Sequence, residues 1–272
     1  MPILAVSDTL GIYYETHGAG TPLVFINGLT SSLECWSNQV TVFSARYRVI
    51  VYDCRGQGRS GKPSEGYTGY EHMTDLMAIL DHLSIDKAHL VGHSFGGYIA
   101  LYLAAHFPGR VRSLVVSDTT TEAHPLLEKT MLSWIEAQDK GDLDLRFDVA
   151  LPWLYSNSFI KHHDRKINIF KKVFRRNDRE ALKSNTIESL KYNATVNLQE
   201  VKSPLLLIVG EEDLLTPPRY AQRIHHAVQG SKLKVIEDCG HVPPIEKPLQ
   251  FNEALLSFLS LHDPPLTDDL AR

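Results

Sequence analysis

The chain has 272 residues, of which 43% are hydrophobic and 22% are charged, and its formal net charge is −4 at pH 7. This length suits one large α/β domain, or a core with one inserted subdomain, and the composition is that of a globular protein. The slightly negative charge gives no support for a nucleic-acid or membrane partner.

The cysteines and the N-terminal residues indicate the cellular compartment in which we expect the protein. Cys35, Cys54 and Cys239 form an odd, scattered set, which favours reduced thiols over a disulfide framework. The first residues lack a signal-peptide pattern, and no apolar run reaches the length of a membrane span. We therefore expect a cytoplasmic protein. Because the cysteine spacing supports no metal site, we expect neither a metal nor a cofactor.

The first part of the chain alternates strand patterns with helix patterns. Apolar or β-favouring runs predict strands at residues 11–17, 23–26, 48–52, 88–91 and 111–117. Helical periodicity predicts helices at residues 36–44, 69–83 and about 98–107. Such alternation is typical of a mostly parallel sheet that is covered by helices.

The pattern changes after Asp118. Residues 119–198 show no strand-like run and predict several amphipathic helices, whereas strands return at residues 205–209 and 232–236. Further helices are predicted at residues 217–228 and 248–261. The domain organisation that we expect is a core of residues 1–118 and 199–262, a helical lid of residues 119–198, and a loose C-terminal tail of residues 263–272.

Residues 92–97 carry the most informative motif, Gly-His-Ser-Phe-Gly-Gly. Gly92 and Gly96 flank Ser94 as G-x-S-x-G, between a buried-type strand and an apolar helix. A strand-to-helix turn this tight crowds the positions two before and two after the serine, which favours residues without a side chain there. The pattern therefore predicts Ser94 as a nucleophile held in a strained backbone conformation, and His93 as a structural neighbour.

A serine hydroxyl needs a base within hydrogen-bonding reach and a third group that orients this base. Loops that follow parallel strands meet at the carboxyl edge of the sheet, where ligands bind. His241 follows the last predicted strand, and Gly240 and the prolines after it fix its loop. We therefore predict His241 as the base.

The acid is predicted to follow a strand as well. Asp213 lies just past the strand at 205–209, and the chain order Ser94, Asp213, His241 favours it. Its rivals are Glu212, Asp238 and above all Asp118, which also ends a strand on the same edge.

Two backbone N–H groups are expected to stabilise the oxyanion. One is the amide of Phe95, which follows the nucleophile, and the other is the amide of Leu29, in the loop after the strand at 23–26. Loss of one such donor typically costs about 3 kcal/mol of transition-state stabilisation.

Five segments in this order resemble the α/β-hydrolase superfamily, over about residues 11–261. They are Asn-Gly-Leu at 27–29, Asp-Cys-Arg-Gly-Gln-Gly-Arg-Ser at 53–60, the serine motif at 92–97, Gly-Glu-Glu-Asp at 210–213 and Gly-His at 240–241. The resemblance implies the α/β-hydrolase fold: a mostly parallel central sheet flanked by helices, with a helical lid (cap) inserted after the sixth strand. Within the superfamily the chain looks most like lidded carboxylesterases and 3-oxoadipate enol-lactonases. One departure is Asn27, where the family usually has histidine, so any support that this histidine gives to the loop would pass to Asn27.

The resemblance implies a serine hydrolase of small-molecule carboxylic esters or lactones, with Ser94, His241 and Asp213 as catalytic triad. A serine at position 94 argues against haloalkane dehalogenases and epoxide hydrolases, which use an aspartate there. Thioesterases and C–C bond hydrolases use the same triad, as do receptors on this fold that hydrolyse their ligand slowly, so these alternatives stay open. The oligomeric state, monomer or homodimer, is open too.

The lid is expected to decide the substrate. Residues 161–176 contain seven Lys or Arg residues and only one Asp. This basic stretch is either a solvated helix face or a surface that attracts an anionic substrate. Trp134 and Trp153 are candidates for the acyl pocket, with simple packing inside the lid as the alternative.

Overall fold

The computed structural model describes residues 2–191 and 195–263. Apart from Asp263, the tail predicted at 263–272 lies outside the described residues. None of the helices in the described part of the chain combines the length and the apolar character that crossing a bilayer requires.

One sheet of eight strands forms the centre of the molecule, in the order β1-β2-β4-β3-β5-β6-β7-β8. The strands are β1 Ile3–Ala5, β2 Gly11–His17, β3 Thr21–Ile26, β4 Tyr47–Tyr52, β5 Ala88–His93, β6 Val111–Ser117, β7 Leu205–Gly210 and β8 Lys232–Ile236. β2 pairs antiparallel with both of its neighbours, β1 and β4, and every later pair in this order, from β4–β3 to β7–β8, is parallel. The predicted mostly parallel sheet is thus confirmed.

The strand β1 was not predicted from the sequence. It has three residues, two of them exposed, and therefore offers no periodic apolar signal. Its presence makes Val111–Ser117 the sixth strand, so the helical insert does follow strand six, as the resemblance implies.

Eleven α-helices surround the sheet in the described residues. They are α1 Ser37–Phe43, α2 Gly69–His82, α3 Phe95–His106, α4 Pro125–Lys140, α5 Leu143–Leu154, α6 Asn157–His162, α7 Asp164–Phe174, α8 Arg179–Ser189, α9 Pro218–Ala227, α10 Pro243–Glu246 and α11 Pro248–Leu259. Short 3-10 helices cover Leu33–Trp36, Pro108–Arg110 and Thr195–Glu200. The helix predicted from residue 98 begins at Phe95 instead, directly after Ser94.

The central strands are buried on both faces because alternate side chains enter two different cores. In β3, Val24 and Ile26 join the apolar cluster under α2, α3 and α9, while Leu23 and Phe25 join the cluster under α1 and α11. All four side chains are fully buried. Burial on both faces explains why these strands read as continuous apolar runs.

Five helices, α4 to α8, separate β6 from β7 in the chain. Four of them begin at a polar residue whose side chain accepts a hydrogen bond from the first turn: His124, Asp142, Ser156 and Asp178. The insert has a small apolar cluster of its own, formed by Leu143, Phe147, Phe159, Ile167, Phe174 and Leu182. Met131 and Trp134 of α4 instead join the main core, so α4 docks the insert on the sheet domain.

Candidate active site

Ser94 occupies the tight turn between β5 and α3. Its backbone has φ 52° and ψ −116°, a conformation that side chains rarely adopt. A Cβ at Gly92 would lie 2.2 Å from the carbonyl oxygen of Gly96, and a Cβ at Gly96 would lie 2.2 Å from that of Ile26. Both glycines are therefore required by the close approach of backbone to backbone, as the sequence motif predicts.

The structure brings three of the predicted residues into one hydrogen-bonded chain. Nε2 of His241 lies 2.9 Å from Oγ of Ser94, and Nδ1 of His241 lies 2.8 Å from Oδ2 of Asp213. His241 is buried, and its backbone N–H donates to the carbonyl of Leu154 at 2.9 Å, which ties its loop to the insert. The imidazole is thus held between a hydroxyl and a carboxyl group.

Asp213 is surrounded by hydrogen-bond donors. Its Oδ1 accepts from the backbone N–H groups of Leu215 at 2.8 Å and Thr216 at 2.9 Å, and its Oδ2 accepts from the Thr216 hydroxyl at 2.8 Å. Burial opposes its ionisation, yet the charge of His241 and the hydrogen bonds from His241 and Thr216 hold the pKa of Asp213 below its ordinary value. Asp213 is therefore the ionised partner of His241.

Asp118, the main rival, lies beside Asp213 but is differently bonded. Its carboxyl accepts the backbone N–H of Gly210 at 2.8 Å and the hydroxyl of Ser117. Its own φ is 49°, in the left-handed region. Burial, and then the nearby charge of Asp213, raise the pKa of Asp118 well above its ordinary value, so Asp118 stays protonated where Asp213 is ionised.

The two weaker rivals have partners elsewhere. Glu212 accepts the backbone N–H of Asn157 at 3.0 Å, and Asp238 accepts from the ammonium of Lys247 at 2.8 Å. Both contacts are structural links between loops and helices.

Asp118, Asp213 and His241 also offer possible metal-ligand atoms, all within 4.8 Å of one another. Each of these side chains already takes part in the hydrogen bonds described above. Those hydrogen bonds explain why the three side chains lie so close together.

The loop that carries Leu29 is held by an amide pair that the sequence did not reveal. The Nδ2 of Asn27 donates to Oε1 of Gln57, and Nε2 of Gln57 donates to the carbonyl oxygens of Gly28 at 3.0 Å and Leu29 at 2.6 Å. Because C=O and N–H of a trans peptide point in opposite directions, the bond to the Gly28 carbonyl turns the Leu29 N–H away from Gln57. The only available signal for Gln57 was its place in the glycine-rich loop 53–60.

The two residues predicted to supply the oxyanion donors, Leu29 and Phe95, both line the cavity with Ser94. Phe95 is the first residue of α3, so its N–H belongs to the first turn of that helix, where backbone N–H groups have no intrahelical acceptor. The loop of Leu29 approaches from β3: a Cβ on Gly28 would lie 3.5 Å from Cβ of Ser94. Both backbone segments therefore lie close to the serine.

A cavity of about 620 Å³ opens above Ser94. Ser94, His241, Leu29 and Phe95 lie in its wall. The insert supplies the opposite wall, with Leu127, Met131 and Trp134 from α4, Arg146, Phe147, Ala150 and Leu154 from α5, and Ile169, Phe170, Val173 and Phe174 from α7.

The two tryptophans that were candidates for the pocket have different positions. Trp134 is buried and lines the cavity, whereas Trp153 is half-buried and packs against the main core without lining it. Trp153 is therefore not part of the pocket that we describe.

The basic stretch of the insert is partly neutralised. Lys171 and Arg175 of α7 pair with Asp148 at 2.6 Å and Asp144 at 2.5 Å, both on α5. These pairs join the two helices on their exposed side, where ion pairs contribute little to stability.

Comparisons with known proteins agree on the fold family. A family model for the alpha/beta hydrolase fold matches residues 21–248. 3-Oxoadipate enol-lactonase 2 of Acinetobacter baylyi is 30% identical over 265 residues, which cover 94% of this chain and 97% of that protein. Among solved structures, the enol-lactonase from Burkholderia xenovorans is 25% identical with a TM-score of 0.89, covering 95% of this chain and 100% of that one. Est816, described as an N-acyl homoserine lactone degrading enzyme, is 31% identical with a TM-score of 0.85, covering 94% of this chain and 100% of its own.

Proposed function

Because the chain belongs to the alpha/beta hydrolase fold family, we propose that it is a hydrolase of carboxylic esters or lactones that uses Ser94 as its nucleophile. The observation that carries the proposal is the hydrogen-bonded chain Ser94–His241–Asp213, with Ser94 and His241 in the wall of the cavity. The names of the relatives, two enol-lactonases and a lactone-degrading enzyme, support a small-molecule ester or lactone as substrate.

In the proposed reaction Oγ of Ser94 attacks the carbonyl carbon while Nε2 of His241, 2.9 Å away, accepts the hydroxyl proton. His241 then returns this proton to the leaving alkoxide as the C–O bond breaks, which leaves an acyl-serine. A water molecule then gives a proton to His241 and attacks the acyl-serine. His241 returns this proton to Oγ of Ser94 as the acyl–oxygen bond breaks, which releases the acid and the free Ser94. Asp213 orients the imidazole and stabilises its charged form.

The oxyanion of each tetrahedral intermediate would be held by the N–H groups of Leu29 and Phe95. The approach of the Leu29 loop to Ser94 and the place of Phe95 at the start of α3 support this role, and the bonds from Gln57 keep the Leu29 loop in place. The same proposal treats residues 1–118 and 199–262 as the catalytic core and residues 119–198 as a lid that closes the cavity. The separate apolar cluster of the insert supports this division.

The decisive experiment measures turnover on p-nitrophenyl esters, lactones and thioesters, together with covalent labelling by a fluorophosphonate. We expect many turnovers per chain, mass spectrometry that locates the label on Ser94, and a fall in kcat of about 10⁴-fold or more in Ser94→Ala. A single turnover per chain would favour a slow ligand receptor on this fold. Full activity in Ser94→Ala would reject the nucleophile.

A further inference from the structure

Arg146 of α5 is a buried cation in the wall of the cavity. None of its surface is exposed, and it lies among the wall residues that α5 contributes. Its Nη1 donates to Oε1 of Gln138 at 2.8 Å and its Nη2 donates to the hydroxyl of Thr186 at 2.7 Å, but its Nε has no partner among the described residues. Both partners are neutral.

No carboxylate binds this guanidinium directly within the described residues. The charge of Asp139 favours the charged form of Arg146 from a distance, but Arg146 forms no ion pair there, and the acids nearest along the chain are already bonded. Asp139 pairs with Lys183 at 2.6 Å, and Asp142 accepts the backbone N–H of Leu145 at 3.0 Å. Burial lowers the pKa of Arg146 to about 10, so the guanidinium is still charged at neutral pH.

Arg55 is also buried, and it shows which group the Nε–Nη2 edge of an arginine can bind. The Nε and Nη2 of Arg55 bind the two oxygens of Asp75, each at 2.7 Å, in a bidentate pair. In Arg146 the same edge holds one neutral hydroxyl and one unpartnered N–H. A carboxylate that arrives at this edge gains a charge-assisted bond and neutralises a cation that is costly to bury alone.

The other charged residues of the cavity wall are near an opposite charge, accept hydrogen bonds or are exposed to solvent. Glu34 lies 3.8 Å from Arg59, and Glu122 lies 3.7 Å from Arg223. Asp53 accepts the backbone N–H groups of Leu33 and Arg59, each at 2.8 Å. Arg176 forms no ion pair within the described residues but is exposed to solvent, so its charge is screened there.

Helix α5 also determines how far Arg146 lies from the triad, and hence from the bond that is cleaved. Leu154, at the end of α5, accepts the hydrogen bond from the backbone of His241, and Arg146 lies eight residues earlier on the same helix. With the α-helical rise this separation is about 12 Å along the helix axis. Phe147 and Ala150, which lie between them on the wall, are apolar and suit a methylene chain.

We propose that Arg146 binds a second, anionic carboxylate of the substrate, so that the preferred substrates are esters or lactones whose acid part carries a carboxylate about 12 Å from the bond that is cleaved. The inference rests on the proposed function for the reaction itself. Since neighbouring side chains cover the guanidinium even on its cavity side, binding requires wall side chains to shift aside.

The test compares mono-p-nitrophenyl esters of straight-chain diacids from succinate to sebacate with their neutral counterparts, in which the free carboxyl is a methyl ester. For the longer diacids we expect wild-type kcat/KM to favour the acid over the neutral ester. Arg146→Met should reduce this ratio about 10- to 100-fold through KM, because it removes a hydrogen bond to a charged group. Arg146→Lys, which keeps the charge but loses the bidentate edge, should lie between them.

The control variant is Lys172→Gln, which removes one positive charge from the exposed face of α7 outside the cavity wall. It should leave the acid-to-neutral ratio unchanged. High salt should also leave the wild-type ratio nearly unchanged, because a buried charge is poorly screened. A ratio that falls equally in Lys172→Gln, or that collapses in salt, assigns the preference to the lid surface and overturns the inference.

A second arm is independent of catalysis. In Ser94→Ala, suberic acid should raise Tm, its diamide should not, and addition of Arg146→Met should abolish the effect. If wild type hydrolyses none of the esters but suberic acid still stabilises Ser94→Ala through Arg146, the proposed function fails and the anion site stands. If neutral esters are hydrolysed while both the ratio and the Tm shift are the same with and without Arg146, the anion site is wrong and the proposed function stands.

Discussion

At the scale of single residues, Asp118 and Asp213 show how two neighbouring carboxyl groups acquire different charge states. Asp213 receives four hydrogen bonds, including one from His241, and these favour its ionised form. Asp118 is fully enclosed and faces the charge of Asp213, which favours its protonated form. Their roles can therefore be separated by an isosteric change, since an asparagine resembles a protonated aspartate.

We predict that Asp213→Asn lowers kcat by about 10³- to 10⁴-fold, because the amide favours the wrong tautomer of His241. Asp118→Asn should retain most of the wild-type kcat, since it replaces a neutral group by a neutral group. Steady-state hydrolysis of a p-nitrophenyl ester by both variants decides the matter, with circular dichroism to establish that each is folded. An inactive Asp118→Asn beside an active Asp213→Asn would make Asp118 the acid.

The positions of Ser94, His241 and Asp213 could be predicted because each follows a strand with a recognisable apolar run. Gln57 could not be identified in the same way. Its bonds to Gly28 and Leu29 join segments that lie 28 and 29 residues apart, and such pairing leaves no local pattern. The sequence could not separate the two tryptophans for a related reason: Trp134 and Trp153 both lie on helices, and only the packing shows that Trp134 lines the cavity and Trp153 does not.

At the scale of elements, the turn from β5 into α3 depends on two glycines with different neighbours. Gly92 is limited by the backbone of Gly96, and Gly96 is limited by the backbone of Ile26 and Asn27. The turn was predictable from the glycine spacing together with the apolar strand before it and the helical run after it. The helix start at Phe95 was not, because two glycines follow it and lower its helix propensity.

We predict that Gly96→Ala prevents the native turn and abolishes ester hydrolysis, because the added methyl group meets backbone atoms of β3 that cannot move aside. Gly109→Ala is the matched control, since a Cβ at Gly109 has nothing within 4 Å. Soluble yield, Tm and activity should be near wild type for Gly109→Ala and strongly reduced for Gly96→Ala. A fully active Gly96→Ala would mean that the turn tolerates a side chain.

At the scale of the whole molecule, three buried histidines link stability to pH. Burial lowers the pKa to about 3 for His72 and His93 and to about 4 for His89. In the unfolded chain a histidine titrates near 6.5. The stability that these neutral side chains contribute is thus fully present above about pH 6.5 and is lost as pH falls toward the folded-state values.

We predict that each of these histidines lowers the free energy of unfolding by up to about 1.4 kcal/mol per pH unit between pH 6 and 4, since unfolding takes up one proton at each. Buried carboxyl groups with raised pKa values, among them Asp118, act in the opposite direction, so the test is a difference between variants. Urea denaturation at a series of pH values should show that His72→Gln, which keeps a polar partner for Asn185, loses about that much less stability per pH unit than the wild type. Equal slopes in the two proteins would contradict a buried neutral His72.

The pairing of β6 with β7 has a consequence for how such a protein can diversify. The two strands are neighbours in the sheet, in register from Leu114 opposite Leu205 to Ser117 opposite Ile208, although the whole helical insert separates them in the chain. The insert therefore leaves and re-enters the sheet at nearly one point, and the entropy of closing such a loop grows only slowly with its length. Its sequence, Arg146 included, can therefore change with little effect on the sheet, provided that a backbone carbonyl still accepts the N–H of His241 where that of Leu154 does now. Under the proposed anion site, substrate choice would then be exchangeable as a module between members of the fold, in evolution or in the laboratory.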